Sequence, residues 1–197
     1  MTSVGLLKDR KDKIVVIGMG YVGLPLMIKL NEHFFVYGFD NDLERIESLK
    51  KGFDVTRTIG KKELSELEER FSSDTEVIGL GDVIIVAVPT PINLDLTPNL
   101  EPLKQVAVTI SKNLKKGALV VLESTVYPGV TEQVFGSIIA RRSGLKLGNN
   151  FHLGYAPERI NPGDSHHTIE KITKVVAGEE SRVTELMASI YGMVTGG

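Results

Sequence analysis

Gly18-Met19-Gly20-Tyr21-Val22-Gly23 carries the spacing G-x-G-x-x-G between an apolar run, KIVVI, and a stretch of helical character, VGLPLMIKL. In this pattern the first glycine permits a tight turn and the second lets backbone approach a pyrophosphate. The third lets the following helix pack closely on the strand. Free N–H groups and the dipole at the helix start favour phosphate. Asp40 stands 22 residues after Gly18, at the end of the next apolar run, VYGFD. A carboxylate there can accept hydrogen bonds from both adenosine ribose hydroxyls and repels a 2′-phosphate, which favours NAD over NADP. Gly18, Gly20, Tyr21, Val22, Gly23 and Asp40 are therefore candidate cofactor contacts. The competing reading is a glycine-rich turn with Asp40 capping the helix over 42–51. Arg45 either approaches the ribose or phosphate or is a solvated helix residue.

Three further loops carry usable groups. Ala87-Val88-Pro89-Thr90-Pro91 follows a nearly continuous apolar run, and its two prolines stiffen a loop that offers the Thr90 hydroxyl. Glu123-Ser124-Thr125 ends the next run ahead of Pro128-Gly129. Its carboxylate and two hydroxyls suit holding a water or a substrate hydroxyl; the alternative is local helix capping with Glu123 a buried, hydrogen-bonded carboxylate. Tyr155-Ala156-Pro157-Glu158-Arg159 ends the run after that. Glu158 can orient water or accept a proton and Arg159 can meet a phosphate, or the two can form a surface pair.

The elements that must position these loops alternate regularly. Strands are predicted over 14–18, 35–40, 83–88, 118–123, 151–155 and 175–177, several of them β-branched and without polar alternation, as buried parallel strands are. Helices are predicted over 22–32, 42–51, 61–70, 98–115, 130–142 and 180–191. Thr97-Pro98 reads as an N-cap and first helical residue, and Lys115-Lys116-Gly117 as a stop. Residues 72–80 suit a short strand and a helical turn. The order implies an α/β fold: a doubly wound Rossmann-type, mostly parallel sheet with helices on both faces, occupying 13–197 after an extension or short helix over 1–12. Loops at the carboxyl ends of such strands converge on one crevice.

Composition bounds the chemistry. The 197 residues suffice for one full core, and a formal net charge of −2 excludes a generally basic surface for coating nucleic acid. Tyr21 and Tyr155 lack the basic surround of a base-stacking platform. No cysteine is present, which excludes disulfides, thiolate metal sites and a thiol nucleophile within the chain. No targeting segment and no apolar run of membrane-spanning length is visible, which suits the cytoplasm. Asp164, His166 and His167 resemble metal ligands, but adjacent histidines diverge and no further ligands surround them, so no metal is assigned. His33 and His152 have no flanking constellation. Ser124, His167 and Asp95 lack the G-x-S-x-G elbow of a hydrolase. Residues 61–70, of mixed charge, read as a solvated helix face.

Four segments together, IVVIGMGYVGLPL (14–26), VAVPTPI (86–92), VLESTVYPGVTE (121–132) and GYAPERINPGD (154–164), resemble the nucleotide-sugar 6-dehydrogenases, relatives of UDP-glucose dehydrogenase. ESTVYPG with YAPERINPGD is most similar to the UDP-N-acetylglucosamine branch, with UDP-N-acetylmannosamine and UDP-N-acetylgalactosamine enzymes close by. The resemblance covers about 13–197. It implies a four-electron oxidation that takes the sugar C6 alcohol through an aldehyde to a carboxylate and reduces two NAD. A cysteine captures the aldehyde, and the resulting thioester is hydrolysed.

On this resemblance Gly18, Gly20 and Gly23 cradle NAD, with Asp40 and Arg45 at the adenosine ribose. Val88, Pro89, Thr90 and Ser124 border the cofactor. Thr125 positions the catalytic water near NAD, and Glu158 handles protons near C6, with Arg159 beside it at the substrate. The UDP-glucose enzymes carry a second acid four places after this glutamate, where this chain has Pro162, so that role is not carried over. The family chain is about twice as long; its other half supplies the cysteine, further catalytic groups, most of the UDP-sugar grip and the dimer helix. The expectation is an N-terminal NAD-binding domain that is monomeric and inactive alone, within a homodimeric enzyme. A self-sufficient two-electron dehydrogenase and an NAD-sensing scaffold are the alternatives.

Overall fold

A computed structural model describes residues 1–158 and 173–195. Arg159, Asp164, His166 and His167 lie outside the described residues.

Seven strands form one sheet: β1 (Ile14–Ile17), β2 (Val36–Phe39), β3 (Phe71–Ser72), β4 (Val83–Val86), β5 (Ala118–Leu122), β6 (Phe151–Tyr155) and β7 (Ala177–Gly178), in the order β3-β2-β1-β4-β5-β6-β7. All pairings are parallel except β6 with β7. The chain moves outward from β1 through β2 to β3, then returns to start β4 on the other side of β1. This reversal opens a crevice between the carboxyl ends of β1 and β4, where doubly wound sheets bind ligands.

The unbroken apolar strands have a direct cause. Ile14 and Val16 face one core, with Leu24, Met27 and Leu30 of α2 (Gly23–Asn31), Ile46 and Leu49 of α3 (Leu43–Lys50), and Met187 and Tyr191 of α7 (Ser181–Tyr191). Val15 and Ile17 face the other, with Leu103 and Ile110 of α5 (Glu101–Asn113) and Ile139 of α6 (Ser137–Ser143). A strand covered on both faces has no solvent side on which to place polar residues. A short α1 (Val4–Lys8), capped by the Ser3 hydroxyl, puts Leu7 into the first core. No helix among the described residues is long and apolar enough to cross a membrane.

Three elements differ from the sequence expectation. Helix α5 starts at Glu101, not Pro98: the Thr97 hydroxyl donates to Asp95, and Asn93 N–H bonds the Thr97 carbonyl, so these residues close a small loop instead. The Asn99 side chain receives the Glu101 N–H, and Pro102 takes the helix-start role assigned to Pro98. The 61–70 helix breaks into α4 (Lys61–Ser65) and a 3₁₀ turn at Glu68–Arg70, because Phe71 must enter β3. Arg70 is not simply solvated: its guanidinium lies 3.4 Å over the Phe35 ring. The helix over 130–142 opens with a π-helical stretch, Val130–Gly136, before α6.

Candidate active site

The turn between β1 and α2 is built by exclusion of side chains. Gly18 has φ +95°, and a β-carbon there would lie 2.5 Å from the Ala87 carbonyl oxygen. At Gly23 it would lie 1.9 Å from the Gly18 carbonyl oxygen. Both glycines therefore serve the turn and the packing of α2 on β1. Gly20 differs: a β-carbon there would meet nothing within 4 Å. Its open side faces a cleft shared with Tyr21, Val22, Ala87, Thr90, Thr125 and Glu158. Val22 at the start of α2 has no side-chain cap; with Leu24 N–H bonded to the Gly20 carbonyl and Pro25 lacking an N–H, the Gly23 N–H is the helical donor left for a ligand. Tyr21 is half-exposed at the mouth.

Asp40 holds this turn in place. Its Oδ2 accepts the Met19 N–H at 2.7 Å and its Oδ1 the Asp42 N–H at 3.0 Å. Asp42, not Asp40, caps α3, accepting the Arg45 N–H. Each Asp40 oxygen keeps lone-pair capacity for a further donor. The carboxylate borders a second cleft with Gly18, Asn41, Ser73, Thr75 and Gln105. Val88 and Pro89 wall both clefts, whose volumes are about 300 and 440 Å³. Both clefts border the β1–α2 turn, one with Asp40 on its lining and the other with Glu158. An extended ligand with ribose hydroxyls at one end and a pyrophosphate in the middle matches these groups, so the residues fit NAD.

Arg45 is buried, not solvated. Its Nε donates to the Met19 carbonyl at 2.7 Å and an Nη to Asp54 at 2.8 Å, while its other Nη has no partner. Burial pushes the Asp54 carboxyl up, but hydrogen bonds from Thr56, Arg45 and Thr58 outweigh it and hold the group well below the usual range. Met19 is thus held from both sides, its N–H by Asp40 and its carbonyl by Arg45.

The two loops beyond β4 and β5 are clipped together. The Ser124 hydroxyl donates to the Val88 carbonyl at 2.6 Å and the Thr90 hydroxyl to the Thr125 carbonyl at 2.9 Å. Thr125 itself is exposed on the cleft.

Glu123 and Glu158 meet at the cleft end, joined by Lys174, which sequence reasoning missed. Lys174 Nζ lies 2.5 Å from Glu123 Oε2 and 3.0 Å from Glu158 Oε2. The Tyr191 hydroxyl and Glu123 Oε1 are buried close to each other, neither with a well-formed hydrogen bond. Burial pushes the Glu123 carboxyl up to about 7; Lys174 and Tyr191 pull it down and Glu158 pushes it up. Burial, and then Glu123, also raise the Tyr191 hydroxyl. His152 has a partner the sequence did not suggest: its Nδ1 lies 2.6 Å from Glu179 across the antiparallel edge.

Residues 12–195 match the model of the UDP-glucose/GDP-mannose dehydrogenase family, NAD binding domain. The chain is 43% identical to Protein CapL of Staphylococcus aureus over 92% of its own length and 43% of that protein. It is 42% identical to UDP-N-acetyl-D-glucosamine 6-dehydrogenase of Salmonella typhi, over the same shares. The solved UDP-D-ManNAc dehydrogenase of Pyrococcus horikoshii superposes with a TM-score of 0.84 at 28% identity, covering 94% of this chain and 45% of that one. The chain spans less than half the length of the relatives it matches.

Proposed function

Because the chain belongs to the UDP-glucose/GDP-mannose dehydrogenase family as its NAD-binding domain, we propose that it is the cofactor half of a UDP-N-acetylhexosamine 6-dehydrogenase. The observation that carries the reading is the open space over Gly20 at the uncapped start of α2, on a turn that Asp40 braces. The similarity to the Salmonella typhi enzyme supports the N-acetylglucosamine branch.

When bound, NAD supplies a hydride acceptor for the sugar C6. The N–H groups of Gly20–Gly23 hold the pyrophosphate. Asp40 accepts the ribose hydroxyls and repels a 2′-phosphate, while Arg45 keeps Met19, and so the turn, in position. Val88, Pro89, Thr90 and Ser124 form the wall, with the two hydroxyls fixing its shape through their loop-to-loop bonds. At the far end Glu158 takes the proton of the C6 hydroxyl as the hydride leaves, and Thr125 orients the water for the later hydrolysis. Arg159 is assigned to the substrate. With no cysteine among the 197 residues, the thioester step requires the rest of a longer protein, which also brings the sugar grip and a homodimer interface. The chain alone is monomeric and inactive, and the setting is the cytoplasm.

Isothermal titration calorimetry of this chain with NADH tests the reading. Saturable binding is expected, weaker than micromolar, with no alcohol oxidation. No heat of binding at millimolar NADH would overturn it.

A further inference from the structure

Away from the cleft, an imidazole and two carboxylates converge at the edge of the sheet. His152 is the second residue of β6 and shares a face with Gly154, which packs on Met187 of α7. Its side chain is 3% exposed, and Nδ1 lies 2.6 Å from Glu179 Oε1 and 3.7 Å from Glu180 Oε1. Taking one donor atom from each residue, the three lie within 4.8 Å of one another. The Glu179 and Glu180 side chains are 18% and 42% exposed. The imidazole therefore closes the inner side and the acids face water.

The backbone that carries the two acids is fixed. The Glu179 N–H bonds the Leu153 carbonyl at 3.1 Å, and the Gly178 N–H bonds the Thr184 hydroxyl at 2.9 Å. The Glu180 carbonyl accepts the Val183 and Thr184 N–H groups at 3.0 and 3.1 Å as α7 begins. A β-carbon at Gly178 would lie 2.6 Å from Val183 Cβ, so the connection has no slack. Among the described residues Glu179 pairs with His152 alone, while Glu180 also meets the exposed Arg182. Two carboxylates on a fixed backbone beside a sealed imidazole nitrogen form a donor set for a divalent ion of the zinc class. Bonds of about 2.0–2.2 Å from a tetrahedral ion set its ligand atoms about 3.4 Å apart. The 3.7 Å separation is near that already, and the 2.6 Å one widens if the exposed Glu179 side chain turns outward. Glu180 has two oxygens, enough to hold Arg182 and an ion together.

We propose that His152, Glu179 and Glu180 bind a divalent ion of the zinc class, with water in the open position, as a clamp that ties β6 to β7 and the start of α7. The site lies at the amino-terminal end of β6, whereas Glu158 follows its carboxyl end, so the inference stands apart from the function proposed above. His152 and Glu179 are 27 residues apart in the chain and are joined only by the antiparallel return of β7.

Titration calorimetry of the chelator-treated chain with zinc chloride tests the proposal. A His166→Ala, His167→Ala background removes the two adjacent histidines as rival ligands. Saturable binding of one ion per chain is expected, and zinc at about a hundredfold excess over Kd should raise Tm by roughly 5–10 °C. Glu179→Gln and Glu180→Gln each remove a charged ligand on the exposed side without touching the core. Each should weaken zinc binding at least about tenfold, since groups that merely orient metal ligands are worth that much. Should Glu179→Gln not fold, Glu180→Gln carries the comparison. No saturable zinc binding up to about 1 mM would overturn the proposal. So would either folded variant binding zinc within about twofold of the parent chain, which would leave His152 and Glu179 as a hydrogen-bonded pair only.

Discussion

Alanine at Gly20 and at Gly23 should separate what the turn does for the ligand from what it does for the fold. At Gly23 the new β-carbon would stand 1.9 Å from the Gly18 carbonyl oxygen and 3.3 Å from Ala87 Cβ. Neither neighbour yields easily, since Gly18 N–H bonds the Phe39 carbonyl and Ala87 N–H the Ile17 carbonyl, both at 2.8 Å. Overpacking against fixed backbone costs about 3 kcal/mol. In a domain of this size that lowers Tm by roughly 6–12 °C. Gly20 has free space around it and no positive φ. Gly20→Ala should leave Tm unchanged or raise stability by about 0.5 kcal/mol, because the unfolded chain loses freedom. Its methyl group nevertheless occupies the approach to the α2 N-terminus. Losing one hydrogen bond to a charged phosphate there costs about 1.5–3 kcal/mol, which is roughly 10- to 100-fold in Kd for NADH. Scanning calorimetry and titration calorimetry on the two variants give the comparison. Gly20→Ala binding NADH within about twofold of the original chain, on the energy scale of such bonds, would refute the pyrophosphate seat. An unchanged Tm for Gly23→Ala would refute the packing argument.

Asp40→Ala should lower the NADPH-to-NADH ratio of Kd values at least about tenfold, since the carboxylate is the group placed to repel a 2′-phosphate; an unaltered ratio in paired titrations would assign Asp40 to the turn alone. Asp54→Ala strands the buried Arg45 guanidinium, and urea unfolding should show a loss of about 3–5 kcal/mol. Because the folded Asp54 carboxyl lies below its unfolded value, its stabilisation is complete above about pH 4 and is lost as pH falls further; Asp54→Asn should lack this acid limb. Glu123 has the opposite sign. Its carboxyl is raised to about 7 in the folded chain, so its contribution is full below about pH 4 and is lost as pH rises through 7, by up to about 3 kcal/mol. Unfolding free energies of Glu123→Gln should therefore be flatter than those of the original chain between about pH 5 and 8.

The parts of the site that were legible in the sequence are those whose cause is local. G-x-G-x-x-G is readable because steric exclusion at Gly18 and Gly23 acts within one turn, and the strands because burial on both faces leaves only apolar residues. Thr97-Pro98 misled because a hydroxyl that can cap a helix can equally bond Asp95 two residues away, and local pattern does not choose between them. Arg45 was ambiguous for a different reason: its partner Asp54 lies nine residues on, in a loop with no periodicity to place it. Lys174 is farther still from any local signal. It stands in ITKVVAG, where one charge among apolar residues reads as the polar side of an edge strand. Its position opposite Glu158 follows from an antiparallel return that the alternating βα order does not announce. A lysine with 5% of its side chain exposed must be paired, and the two acids at the parallel strand ends are what pair it. Glu158, which the resemblance selects, and Glu123, which its strand-end position selects, are therefore joined by a lysine that neither signal selects.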